Sequence, residues 1–199
     1  MRVCKFGGSS VADAAQILKV KAIIESDPAR RIIIVSAPGK RNNSDEKITD
    51  LLYKCNEEVQ NGKKAESFRI IKKRYTEICN ALKIEGISDI LDTVNLKIEQ
   101  GEGADFAASR GEYLAARMLA DFLEAEFIDT AEVIKLTADG RVDESTYKIL
   151  NSRIIGTGRY IIPGFYGSDS NGNIKTFSRG GSDITGAIAA RAVKADIYE

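Results

Sequence analysis

The sequence predicts an α/β domain whose largely parallel sheet lies between layers of helices, and three observations lead there. The run RIIIVSA (31–37) is continuously apolar and mostly β-branched, as a strand buried on both faces of a parallel sheet requires. A short apolar run at residues 2–6 and a helical pattern after it complete a strand–helix–strand order, which implies a βαβ unit with a right-handed crossover. Glycine pairs stand where predicted strands hand over to predicted helices, at Gly7-Gly8 and at Gly180-Gly181.

The elements follow in order. Residues 2–6 form a strand that the glycines end. From Val11 to about Ser26, apolar positions such as Ile17, Leu18, Val20 and Ile24 suit a helix closed by SDP. After the 31–37 strand, the polar loop PGKRNNSDEK precedes three helical patterns at roughly 47–61, 63–83 and 87–100, the last ended by QGEGAD. A helix over about 105–125, a strand at EFIDT (126–130), a helix over 143–154 and a strand at RYIIPGF (159–165) come next. GSDSNGN is dense in turn formers between IIPGFYG and IKTFS, and predicts a hairpin. SRGGSD leads into ITGAIAARAVKA, a small-residue helix suited to close packing on a sheet, and DIYE begins another strand. A chain that stops inside a strand is expected to be a fragment of a longer protein.

Composition narrows the chemistry. Lys+Arg and Asp+Glu are equal at 29 each, which argues against a broadly nucleic-acid-binding face and against adhesion to an anionic membrane. No apolar run is long enough to span a bilayer and no signal peptide opens the chain, so the expected location is the cytoplasm. Cys4, Cys55 and Cys79 lack metal-type spacing and predict buried thiols in a reducing compartment. There is no histidine, which excludes Ser-His-Asp and Cys-His hydrolases and histidine-ligated zinc. The remaining tools are Lys, Arg, carboxylates, hydroxyls and backbone amides.

Two stations share one grammar: Lys5 ahead of Gly7, Gly8, Ser9 and Ser10, and Arg179 ahead of Gly180, Gly181, Ser182 and Asp183. Glycine lets a ligand approach the backbone, and free amides at a helix start present positive potential, so both read as anion sockets at the carboxyl ends of parallel strands. The plain alternative is a pair of tight turns with solvated cations, and Asp183 is equally a helix N-cap. Neither a P-loop nor a Rossmann fingerprint is present: APGK lacks its upstream glycine, and the glycine pairs at 101–103 and 156–158 lack the strand-then-helix setting. Periodicity alone makes Glu112 a solvent-facing glutamate, Thr49 a capping or surface hydroxyl, Arg110 a surface residue, and the KKRYTE and EEVQNGKKAE runs solvated helix faces.

KFGGSSV, TDLL, SRGE, PGF and SRGGSD, in this order along essentially the whole chain, resemble the aspartate kinases of the amino-acid kinase superfamily. The resemblance implies a three-layer α/β/α sandwich of the carbamate kinase-like type, with an eight-stranded, mostly parallel sheet truncated here at its C-terminal side. Residues 1–199 would be its aspartate- and phosphate-binding part, without the nucleotide-holding remainder and the ACT regulatory domains. It implies transfer of the ATP γ-phosphoryl group, carried with Mg²⁺, to the β-carboxylate of L-aspartate, with Lys5, Gly7, Gly8 and Ser9 around the phosphate and Asp183 organising the site. Thr49 would meet aspartate, with Ser36 and Ser44 as rivals for that place. Glu112 would bind the substrate ammonium, and Arg179 with Gly180, Gly181 and Ser182 its α-carboxylate. A homodimer is expected of the full-length enzyme. Competing readings are a kinase for glutamate, N-acetylglutamate, carbamate or a nucleoside monophosphate, and a non-catalytic binding or assembly fragment.

Overall fold

The computed structural model describes residues 1–178 and 180–199. Its strands are β1 (Arg2–Phe6), β2 (Arg30–Val35), β3 (Glu126–Phe127), β4 (Tyr160–Pro163), β5 (Tyr166–Ser168), β6 (Ile174–Thr176) and β7 (Ile197–Tyr198). Its helices are α1 (Ala14–Glu25), α2 (Ile48–Gln60), α3 (Phe68–Leu82), α4 (Ile87–Glu99), α5 (Ala104–Phe122), α6 (Thr130–Val133), α7 (Ser145–Arg153) and α8 (Gly181–Ala192). Five strands form one parallel sheet in the order β3-β4-β2-β1-β7, and β5 and β6 pair antiparallel as the predicted hairpin.

Alternation along β2 sets the layers. Ile33 and Val35 join a core with residues of α1 to α5, whereas Ile32 and Ile34 join a second core with Val133 of α6, Leu150 of α7 and Ile188 of α8. All four β2 side chains are fully buried, as the β-branched run requires. The result is the expected α/β/α sandwich, with five sheet strands among the described residues where the complete fold is expected to hold eight.

Four local expectations are corrected. The loop after β1 does not open a helix directly: Gly8–Val11 forms a 3₁₀ turn, and α1 starts only at Ala14, where Asp13 caps it by accepting from the Gln16 amide at 2.9 Å. The EFIDT strand shrinks to two residues because Asp129 turns to capping, accepting from the Ala131 amide to open α6. The KKRYTE run is not a solvated face throughout. Arg74 and Tyr75 lie inside the helical layer, Tyr75 Oη donating to Gly111 O at 2.7 Å and Arg74 donating to the carbonyls of Glu46 and Gly39 while pairing with Asp45. Arg110 is also buried, not superficial.

The three thiols are buried as expected. Desolvation pushes Cys4 and Cys55 up to about 12 and Cys79 to about 11, so none is a thiolate at neutral pH. Among the described residues no helix is long and apolar enough to cross a membrane.

Candidate active site

The three central strands end side by side, and the chain beyond each end is still tied to its neighbour. The Ser36 amide donates to Phe6 O at 3.1 Å, and the Gly164 amide donates to Val35 O at 2.9 Å. Open α/β sheets bind ligands outside such carboxyl ends. Here a cleft of about 290 Å³ is lined by Lys5 of β1, Ser36 after β2, Phe165 after β4, Thr49 in the first turn of α2, Glu112 of α5, and Gly180 to Asp183 at the start of α8. Six segments far apart in sequence therefore share one concavity. Ser44, by contrast, bonds Asn42 in an exposed loop and is not part of the lining, so of the three hydroxyls only Ser36 and Thr49 reach the cleft.

The two glycine stations meet through charge. Lys5 Nζ lies 3.0 Å from Asp183 Oδ1, with Asp183 largely exposed. Gly180 is the N-cap of α8 and Asp183 is its third helical residue, so the N-cap role suggested for Asp183 falls to glycine. An aspartate in the first turn is still favourable to the helix dipole. Ser182 Oγ accepts from Ser36 Oγ at 3.0 Å, joining α8 to the end of β2. The amides of Gly181, Ser182 and Asp183 are the first-turn donors that no carbonyl within the helix can satisfy.

On the other side of Lys5, a Cβ at Gly7 would stand 3.6 Å from its Nζ, so glycine there keeps the space beside the ammonium open. Gly8 has a different cause. Its carbonyl accepts from the Gly39 amide at 2.8 Å, and a Cβ would meet Ala37 O at 2.8 Å, so the turn is seated on the 37–39 loop. Ser9 is exposed and outside the cleft lining. Among the described residues the amides of Gly7, Gly8 and Ser9 donate to no carbonyl, while that of Ser10 donates to Gly7 O.

Glu112 overturns the expectation from periodicity. It is 5% exposed, and among the described residues its Oε2 has no hydrogen-bond partner. Gly111 accounts for its placement: a Cβ there would come within 2.7 Å of Ala37 Cβ and 3.2 Å of Ile48 Cγ2, so α5 approaches the loop after β2 closely enough to deliver Glu112 to the cleft. Burial lifts its carboxyl to about 7, against the opposing pull of the Ala37 amide and the Arg110 charge. Its Oε2, buried without a partner among the described residues, is free to accept from a donor on a ligand.

Sequence reasoning missed Phe165, whose signal was the PGF motif at a strand end. Its φ of +81° lies in the left-handed region, uncommon for a bulky residue. Thr185 of α8 holds it there, its Oγ1 accepting from the Phe165 amide at 3.1 Å and donating to Gly181 O at 3.0 Å. Arg179, expected at the substrate carboxylate, lies outside the described residues. No group of three or more Cys, Asp or Glu among the described residues could hold a metal ion of its own.

The family model described as the amino acid kinase family matches residues 1–199. The chain belongs to the amino acid kinase family. Among the relatives of this amino acid kinase chain, Aspartokinase 3 of Bacillus subtilis is 38% identical over 216 residues, covering 100% of the chain and 48% of the relative. An aspartate kinase of Clostridium acetobutylicum superposes with a TM-score of 0.96 at 52% identity, over 99% of this chain and 46% of that one. Aspartokinase III of Escherichia coli, solved in complex with aspartate and ADP, superposes with a TM-score of 0.85 at 26% identity, over 100% of this chain and 48% of that one. The chain thus spans about half the length of the aspartokinases it matches.

Proposed function

We propose that the chain is the aspartate- and phosphate-binding part of an aspartate kinase, which moves the γ-phosphoryl group of MgATP to the β-carboxylate of L-aspartate to give 4-phospho-L-aspartate. The observation that carries this reading is the polarity of the cleft. Lys5 and the first-turn amides of α8 offer positive potential, and the buried Glu112, whose Oε2 has no partner among the described residues, offers a carboxylate to the same cleft. A substrate with one ammonium and two carboxylates complements that arrangement.

The chemistry asks little of acid–base groups. An aspartate side chain has a reference pKa of about 3.9, so the acceptor is already an anion at neutral pH and needs no base. One of its oxygens bonds to the γ-phosphorus as the bond to the oxygen bridging the β- and γ-phosphorus atoms breaks. ADP leaves, and no proton moves. The barrier is the approach of an anion to a polyphosphate, which is lowered by alignment and by fixed positive charge. In this proposal Lys5 and the amides of Gly7 and Gly8 neutralise the moving phosphoryl group, with Ser9 beside it. Mg²⁺ arrives with ATP as part of the substrate. Glu112 pairs with the ammonium, Thr49 supplies a hydroxyl to the bound aspartate, and Arg179, Gly180, Gly181 and Ser182 take its α-carboxylate. Asp183 holds the Lys5 ammonium in place. We further propose that the intact kinase is a cytoplasmic homodimer.

Titration calorimetry of this chain with L-aspartate, L-glutamate, N-acetylglutamate and carbamate tests the assignment. Saturable heat with L-aspartate alone, lost in Glu112→Gln, is the expected result. Preference for another acceptor, or undiminished binding by the variant, would remove aspartate or Glu112 from the scheme.

A further inference from the structure

Arg110 takes no part in the reaction above, yet it is an unusual cation. It is 6% exposed, and its guanidinium carbon lies 4.6, 4.5 and 5.1 Å from the ring centroids of Phe106, Tyr113 and Tyr166. Nε and Nη2 both donate to the same acceptor, Ser109 Oγ, at 3.1 and 2.9 Å. Among the described residues Nη1 has no acceptor and no carboxylate forms an ion pair with the group. Burying a guanidinium without a counter-ion is costly, and stacking on aromatic faces offsets only part of that cost. Glu112 feels this charge without forming an ion pair with it, which leaves the Nη1 edge open to an anion at short range.

There is room for one. A cavity of about 320 Å³ between α4 and α5 is lined by Arg110 and by Ile90, Val94, Phe106 and Tyr113. Lys97 and Asp89 stand on the same lining, which makes its charge one positive in excess. Lys97 Nζ lies 5.8 Å over the Phe106 ring, so two cations flank the aromatic wall. The volume sits at the small end of ligand pockets. No residue lines both this cavity and the cleft at the strand ends.

We propose that the cavity between α4 and α5 binds a small organic carboxylate with an apolar body, its carboxylate on the free edge of Arg110 and its hydrocarbon against Ile90, Val94 and Phe106. The planar fork suits a carboxylate. The apolar wall gives a bare inorganic anion nothing to bury against, which sets this chemistry apart from phosphate.

Benzoate is the probe, titrated into the ¹⁵N-labelled 199-residue chain, with benzamide and inorganic phosphate as controls. Saturable shifts should map to Ile90, Val94, Phe106 and Tyr113. Benzamide should bind about tenfold or more weakly, the value of one hydrogen bond between charged groups. Arg110→Gln should abolish the shifts. Should that variant unfold, Lys97→Ala at an exposed position should still weaken benzoate severalfold. Equal binding of benzoate and benzamide, phosphate binding as tightly as benzoate, shifts mapping elsewhere, no saturation, or an indifferent Lys97→Ala would each overturn the proposal.

Discussion

Glu112→Gln separates the cost of burying a charge from the gain of pairing it. Burial moves the Glu112 carboxyl from 4.5 to about 7, equivalent to about 3 kcal/mol of penalty on its ionised form. Between those two pH values the folded chain holds a proton that the unfolded chain has released. Wild-type stability therefore falls as pH rises through that window, and the penalty is complete above it. Glutamine does not titrate, so its own desolvation is a constant offset and the pH slope is the diagnostic quantity. For a chain of this length about 3 kcal/mol corresponds to roughly 6–12 °C in Tm. Thermal unfolding without ligand should show the variant gaining on the wild type by that amount between pH 4.5 and pH 8. L-aspartate should reverse the order. If its ammonium pairs with Glu112 as proposed, binding below about pH 7 should release a proton, visible in calorimetry as a dependence on buffer ionisation heat. Parallel pH–stability curves for the two proteins would refute the argument that Glu112 is a desolvated carboxylate awaiting a cation.

Four further outcomes are expected. On the proposed function, Lys5→Ala in the full-length protein should lower aspartate kinase turnover by orders of magnitude with little change in aspartate affinity, and near-normal kcat would remove Lys5 from the proposed phosphoryl site. Gly111→Ala should destabilise in urea unfolding even though alanine is worth about 1 kcal/mol more than glycine in a helix, because a contact of 2.7 Å with Ala37 costs about 1–3 kcal/mol; a stabilised variant would contradict the close approach. Arg74→Met should cost about 1–3 kcal/mol, since it leaves the carbonyls of Gly39 and Glu46 without that donor while Asp45 keeps Arg41; a neutral result would show the 39–46 loop to be held otherwise. The folded chain at pH 8 should resist iodoacetamide at all three cysteines by mass spectrometry, and fast labelling of any one would contradict its burial and raised pKa.

What could be read from sequence divides by physical cause. The β2 run was legible because full burial on both faces leaves only apolar side chains, and the hairpin because its turn residues have few other uses. The boundaries that slipped did so where one polar side chain decided matters. Asp13 delays α1 and Asp129 cuts β3 short, each by accepting one backbone amide, and nothing in periodicity distinguishes such a carboxylate from a solvated one. Arg74, Tyr75 and Arg110 were misjudged for the converse reason. A helix that packs on several sides buries charged residues as readily as apolar ones when carbonyls or rings await them. For Arg74 and Tyr75 those partners come from remote segments, and Arg110 adds the remote ring of Tyr166 to two rings of its own helix.

The candidate site obeys the same logic at closer range. Motif grammar placed Lys5 and the first glycine station at the end of a parallel-sheet strand, where the structure has them, whereas the second station follows β6 of the antiparallel hairpin. It also gave Gly7 and Gly8 one purpose, and the structure gives them two. Gly7 leaves space beside an ammonium, whereas Gly8 is small because Gly39 presses on it. Gly39 is held in turn by Arg74, so a guanidinium on α3 bears on the geometry of the Gly7-Gly8 turn through one loop. Glu112 depends on distant contacts as well, since its burial follows from the missing side chain of Gly111 and the resulting approach of α5 to Ala37. Residues 37–39 thus seat the Gly7-Gly8 turn on one side and set the depth of the Glu112 carboxylate on the other. A change there should disturb the Gly7-Gly8 turn and the burial of Glu112 together, which a defect confined to either one would not do.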